Sequence, residues 1–244
     1  MLDGGIGKAL ACLQTFIPEQ NWAPLEIGQI SLFERAPSTK LPPSLEPLER
    51  LIGYNFNKKS LLVEAMSHAS YTIGSSSYER SEFLGDSILD FIVVEALRTC
   101  GELSHIQMHL LRTALVNADF LAFLCMEWAI EQERIDLINT DSEEITRERK
   151  SINMPLWRFM RHQSPVVSEV QVMTVKRHAA LRGEIISAME TGRRYPWALL
   201  ARLQAMKFYS DLVESLLGAI WIDSGSLEVS LVEPKLALTA YTNC

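Results

Sequence analysis

Six acids in two short stretches carry most of the chemistry this sequence has to offer. The segment Tyr78-Glu79-Arg80-Ser81-Glu82-Phe83-Leu84-Gly85-Asp86-Ser87-Ile88-Leu89-Asp90 spaces Glu79, Glu82, Asp86 and Asp90 three or four residues apart. On a helix these four share one face. Like charges at that spacing repel, costing about 0.2–0.5 kcal/mol per pair. A divalent cation seated among them removes the repulsion, because hard cations take carboxylate oxygens as ligands. The segment Lys207-Phe208-Tyr209-Ser210-Asp211-Leu212-Val213-Glu214-Ser215-Leu216-Leu217-Gly218 repeats the device with Asp211 and Glu214. One such pair alone is ordinarily a solvated face. Two of them, each backed by an unbroken apolar stripe, favour a metal centre built from four acids where two helices cross.

The elements that must hold these acids are helices. Phe83, Leu84, Ile88, Phe91, Ile92 and Leu97 oppose the first acidic face, and Leu212, Val213, Leu216, Leu217, Ile220 and Trp221 oppose the second. Gly85 sits inside the first helix, where glycine costs roughly 1 kcal/mol against alanine, so close approach of another helix is expected there. Gly218 continues the second acidic stripe, and Asp223-Ser224-Gly225 signals a left-handed cap. Further helical spacing appears at Leu48–Ile52, Leu61–Met66, Met108–Ile130 (one helix or two), Ile185–Met189 and Pro196–Gly225. Ser75–Ser77 reads as a polar turn, and the charge-rich stretch Asp136–Lys150 as a loop. No convincing run of alternating apolar residues occurs, so the predicted fold is all-α.

Composition narrows the class. The chain has 244 residues, nearly half of them hydrophobic, enough to bury a sizeable core. No apolar run approaches the ~20 residues of a membrane span, and Met1–Leu10 lacks a secretory signal pattern. Cys12, Cys100, Cys125 and Cys244 show no metal or disulfide spacing. These features are read as an intracellular protein, cytoplasmic or nuclear, with no membrane partner. The net charge of −7 is unevenly spread. Thr146–Lys207 carries twelve basic residues against four acids, a net +8, which leaves −15 on the remainder. That basic stretch, with Arg193 and Arg194 adjacent, is either a phosphate-binding surface or a solvated helical face.

The two acidic segments resemble signatures of the ribonuclease III family. Glu79–Asp90 is similar to E-R-L-E-F-L-G-D-S-x-L-D, departing from it at Ser81, and Asp211–Gly225 is similar to D-x-V-E-S/A-L-L-G-A-I-x-x-D-x-G. Ile52-Gly53-Tyr54, Leu61-Leu62, Ser67-His68-Ala69-Ser70-Tyr71, Gly101-Glu102-Leu103-Ser104 and Leu115-Val116-Asn117 match in order as well. The resemblance covers residues 48–130 and 205–225, and an insertion at about 131–204 is similar to fungal Dicer-like proteins. It implies a helical endonuclease domain over 48–244, specifically the second such domain of a Dicer-like protein. The proline-rich stretch Ala23–Pro47 is then a linker, and 1–22 the tail of a preceding domain on a partial chain.

By motif position, the resemblance makes Glu82, Asp86, Asp211 and Glu214 both catalytic residues and metal ligands. They would hold one or two Mg2+ ions, with Mn2+ as a possible substitute. Glu79 and Asp90 become supporting acids that orient ligands or water. Lys207 is either a phosphate contact or a plain surface lysine. The implied reaction is hydrolysis of double-stranded RNA in RNA silencing, yielding 5′-phosphate and 3′-hydroxyl ends. One centre cuts one strand, so the implied partners are double-stranded RNA and a second ribonuclease III domain, from another copy or another chain. The alternatives are a non-catalytic RNA-binding or scaffold protein of the same fold, or an inactive Dicer fragment. His68 reads as a packed, hydrogen-bonded histidine. Glu102-x-x-His105 reads as half of a di-iron pattern with no second half. Trp128, Trp157, Trp197 and Trp221 read as core.

Overall fold

The computed structural model describes Thr15 and residues 25–71, 77–139, 145–192 and 194–226. The tail assigned to 1–22 (Thr15 apart), most of the Ser75–Ser77 turn, Arg193, Cys12 and Cys244 lie outside these residues. Helices dominate, as the spacing predicts. In chain order they are α1 (Leu25–Arg35), α2 (Glu46–Leu51), α3 (Lys59–Ala65), α4 (Glu79–Thr99), α5 (His105–Leu115), α6 (Ala118–Glu127), α7 (Pro165–Thr191), α8 (Trp197–Ala201) and α9 (Phe208–Ser224). None of these helices is by itself long and apolar enough to cross a membrane.

At the centre lies α9, buried from Phe208 to Asp223 and packed by α4, α6, α3 and α1. A helix enclosed on all sides has no solvent face to occupy with polar residues. Its few polar residues therefore need specific reasons, which the acidic site and its surroundings supply. Gly225 ends it at φ +66°, the left-handed cap that Asp223-Ser224-Gly225 predicts. Local signals end the other helices. Ser104 and Gln107 form a reciprocal capping box on α5, and the Asn117 side chain accepts from the amides of Asp119 and Phe120 on α6. The Met108–Ile130 stretch thus holds two helices, joined at Val116-Asn117, and its last two residues begin a strand.

The linker stretch contains a helix. Its prolines fall at Pro24, Pro37, Pro42, Pro43 and Pro47, so Leu25–Arg35 is a proline-free window, and α1 forms there. It docks on the end of α9, where the Gln29 amide donates to the Ile222 carbonyl.

The insertion departs most from expectation. Asp136–Lys150, expected as a loop, falls largely within an antiparallel hairpin of β1 (Ala129–Asn139) and β2 (Ile145–Pro155). Its register runs from Ala129 opposite Pro155 to Asn139 opposite Ile145. Among the described residues the ribbon pairs with no third strand, and its base packs on the core through Ile130 and Met154, while its sequence lacks the long apolar alternation that marks a core strand. Ile185–Met189 proves to be the end of a much longer helix. Val167, Thr174 and Leu181 lie seven apart and, with Ile185, are the buried residues of α7. So narrow a stripe is blurred by apolar neighbours that stay exposed, Val166, Val172, Met173 and Val175. A 3-10 turn at Leu156–Phe159 returns the chain to the body.

The crossing of α4 and α9 positions the acids, and glycine permits it. A Cβ placed on Gly85 would lie 1.7 Å from the Glu214 carbonyl oxygen, and one on Gly218 would lie 2.1 Å from that of Ser81. These contacts are with backbone, which cannot swing aside. Close helix approach, inferred from a mid-helix glycine, is what the fold shows. Gly85→Ala and Gly218→Ala should each destabilise the chain by about 1–3 kcal/mol or more through forced separation of the helices. Thermal unfolding monitored by circular dichroism measures this, and near-parental melting of both variants would contradict a close crossing.

Candidate metal centre

With the backbones this close, side chains just before and after each glycine converge. Glu82 from the first turn of α4 meets Asp211 and Glu214 from the start of α9, and each offers a carboxylate oxygen within 4.8 Å of the other two. Asp211 and Glu214 are 5% and 8% exposed, whereas Glu82 is half-buried. Asp86 stands one turn beyond Glu82, exposed, and its charge acts on Glu214. The structure thus gathers three of the four expected ligands, with the fourth alongside.

The electrostatics are those of a site short of positive charge. Burial pushes the Glu214 carboxyl up to about 8, and the charges of Asp86, Asp211 and Glu82 push it the same way. Asp211 is also raised, by burial first, although Lys207 opposes the shift. The Lys207 ammonium sits between the two helices, 2.6 Å from Glu82 Oε1 and 2.6 Å from Asp211 Oδ1. Burial lowers its pKa, but the two carboxylates together outweigh this and raise it. Lys207 is therefore neither free for phosphate nor a plain surface lysine in this arrangement; it partly neutralises the acids. Tyr78, just before α4, is a further neighbour that spacing does not reveal. Burial raises its pKa, and the nearby Asp211 adds to this.

The supporting acids separate. Glu79 is exposed and accepts from the Ser77 hydroxyl at 3.0 Å. Asp90 accepts from the Arg112 guanidinium of α5, away from the cluster. Asp223 is a buried acid with a different task. Its Oδ2 accepts from the Tyr54 hydroxyl and the Asn57 amide, both at 2.7 Å, and its Oδ1 from the Lys58 amide at 2.7 Å. It clamps the 54–58 loop onto the end of α9; position within an acidic motif alone does not distinguish this role from ligation.

His68 is packed as expected: Nδ1 lies 2.9 Å from the Ser70 hydroxyl, and the ring abuts Tyr78 and Phe208. Burial lowers its pKa, and the neighbouring His162 adds to this. Glu102 and His105 are both exposed. Of the tryptophans, Trp221 is core, Trp128 and Trp157 are half-buried, and Trp197 is exposed. Arg194 is exposed. Much of the basic stretch is spent internally. Arg161 stacks on Tyr71, Arg182 grips Glu127, Arg177 reaches the carbonyls of Leu203 and Gln204, and Arg202 pairs with Glu184.

A hard divalent cation fits these residues. The donors are all carboxylate oxygens, as Mg2+ requires. One of them, Glu214, holds its proton into the neutral range unless a positive charge joins it.

A helical domain whose central helix crosses a second at paired glycines, with acids converging at the crossing, is the arrangement of a ribonuclease III nuclease domain. The chain belongs to this family: the Ribonuclease III domain model matches residues 79–225. Among curated proteins it is similar to Dicer-like protein 2 of Pyricularia oryzae, with 44% identity over 238 residues, covering 93% of this chain and 16% of that protein. Dicer-like protein 2 of Neurospora crassa is 45% identical over 249 residues, covering 91% and 16%. The chain thus spans about a sixth of the length of these relatives. Among solved structures it is similar to the nuclease domain of ribonuclease III from Campylobacter jejuni, with 21% identity and a TM-score of 0.48, covering 82% of this chain and 99% of that one.

The raised carboxyl predicts a pH signature. Without metal, Glu214 stays protonated in the folded chain up to about 8 but ionises near 4.5 when unfolded. The unfolded state therefore binds fewer protons across that window, and stability falls as pH rises through it. Glu214→Gln should remove this component, and Mg2+ should offset it in the parent. Melting temperatures at several pH values, with and without Mg2+, test this; identical pH profiles for parent and variant would refute it.

Proposed function

We propose that this chain is a catalytic domain that cleaves double-stranded RNA by Mg2+-dependent phosphodiester hydrolysis, producing small RNAs in RNA silencing. The observation that carries this reading is the convergence of Glu82, Asp211 and Glu214 at the glycine crossing, with Glu214 buried among like charges. Membership of the ribonuclease III family and similarity to proteins named Dicer-like support it.

In this reading Glu82, Asp86, Asp211 and Glu214 hold the cation. The cation supplies Lewis-acid charge that activates water and steadies the departing 3′ oxygen. The carboxylates fix where that charge sits. The nearly closed crossing keeps them from spreading apart, so little reorganisation accompanies reaction. Lys207, tethered to Glu82 and Asp211, lies where it can turn to a phosphate oxygen once cations satisfy the acids. No side-chain nucleophile is needed, because water attacks the phosphorus.

A second domain would complete the enzyme, since one acid cluster addresses one strand. Phe83 is 78% exposed, and it borders a cavity of about 520 Å3 lined also by Leu32, Ala36, Pro37, Leu84 and Ile222. Phe91 and Val94 extend the exposed apolar side of α4. Such a surface suits another nuclease domain, whether a second copy or a neighbouring domain of a longer protein.

Two experiments test the proposal. Incubating the purified chain with long double-stranded RNA should give cleavage that requires Mg2+ and falls to background in Glu214→Ala. Above pH 8 and without metal the same variant should melt no lower than the parent, because it loses a buried carboxylate repelled by Asp86, Asp211 and Glu82. Cutting by this variant at the parental rate would refute the site. In analytical ultracentrifugation the chain should self-associate with rising concentration, and Phe83→Asp should weaken association at least tenfold, the equivalent of burying one phenylalanine at about 1.5–3 kcal/mol. A chain that stays monomeric at high concentration yet cuts both strands would refute the paired arrangement.

A further inference from the structure

The insertion has a groove of its own. About 640 Å3 of open space lies between the base of β2, the 3-10 turn at Leu156–Phe159 and one side of α7. Trp157, Arg158, Asn153, Gln171 and Lys176 are among its lining residues, and no carboxylate lines it. Glu127, adjacent to Met126 in the wall, is engaged by Arg182 and His178. In a chain of net charge −7, an acid-free wall carrying two cations stands out.

Those two cations differ from five others of the basic stretch. Arg161, Arg177, Arg182, Arg202 and Lys207 have internal partners. Arg158 and Lys176 are exposed and have no carboxylate partner among the described residues. Arg158 rests on the Trp157 ring, 5.7 Å from its centroid, which limits its motion without neutralising it. A guanidinium held by an aromatic face, a nearby ammonium and two side-chain amides match a polyanion that also offers hydrogen-bonding groups.

The groove is also joined to the helix that carries two of the acids. Trp157 packs edge-on against Tyr209, 6.2 Å between centroids, and Tyr209 lies two residues before Asp211. The same strand of chain continues to Arg161, whose backbone bonds Met66 and His68 and whose guanidinium donates to the Tyr71 hydroxyl. One segment thus forms the groove wall and braces the loop beside the acids.

We infer that this groove binds the phosphate backbone of the RNA substrate through Arg158 and Lys176, giving the insertion the role of an RNA-holding subsite beside the cutting centre. The inference rests on the RNA-cleaving function proposed above. The acid cluster by itself repels RNA, and cations placed a short way along the surface provide the compensating attraction.

The test measures binding of a short RNA duplex to the full chain carrying Glu214→Ala, so that nothing is cut. Adding Arg158→Ala and Lys176→Ala should weaken binding about tenfold near physiological salt and reduce the salt slope by roughly two. Removing Lys40 and Arg50 instead is the charge-matched control and should have a smaller effect. An unchanged affinity and slope, or a loss equal to the control, overturns the subsite. So does groove-dependent binding of fluorescent polyglutamate with RNA binding intact, which would assign the groove to an acidic polypeptide. The two levels separate cleanly. Mg2+-dependent cutting with a silent groove refutes the subsite alone, whereas groove-dependent RNA binding by a chain that cuts nothing refutes the enzymatic reading alone.

Discussion

Backbone contact between α4 and α9 is the constraint on which the other features depend. Each helix presents a bare glycine to the other's carbonyl, so the axes approach more closely than side chains would allow. Two consequences follow from one geometry. Acids on either side of the crossing are forced within ligand distance of one another, and α9 is enclosed so fully that Asp211 and Glu214 lose most of their water. Packing and electrostatics are therefore coupled: the contact that orders the core also makes the site costly without a cation.

Lys207 moderates that cost. Its ammonium bridges Glu82 and Asp211, one from each helix, and so offsets part of the repulsion where the backbones are closest. It does not quiet Glu214, which remains raised to about 8. The site is thus partly compensated by the chain and left with a residual demand that a hard cation can meet. Asp223 shows the contrast. Fully satisfied by a hydroxyl and backbone amides, it acts as a fixed structural clamp at the opposite end of the same helix.

Legibility in the sequence followed the strength of the packing. The α4 and α9 helices, the glycine crossing and the converging acids were readable, because burial there is dense and imposes periodicity on every turn. Asp223 was harder, since its partners, Tyr54 to Lys58, lie far away in the chain. The insertion was least readable. A hairpin with no third strand among the described residues imposes little apolar alternation, and a helix touching the body along Val167, Thr174 and Leu181 also bears exposed valines and a methionine that blur its stripe. In the stretch read as a linker, counting prolines obscured the gap between Pro24 and Pro37 in which α1 forms. Net charge left two readings of the +8 segment open, because the partners that Arg161, Arg177, Arg182 and Arg202 find lie elsewhere in the chain.

At the base of the hairpin the Leu156 amide donates to the Trp128 carbonyl at 2.7 Å, and Ile130 and Met154 pack against the core. That bond and those contacts close the neck of the ribbon. Residues gained or lost at the ribbon's tip change its reach without shifting α6, the turn after β2, or the helix that carries the acids. Lengthening an already closed loop adds little entropic cost, about 0.6 kcal/mol per doubling. The length of the connection between β1 and β2 is therefore weakly constrained by stability, and the body can keep its packing whatever that length is.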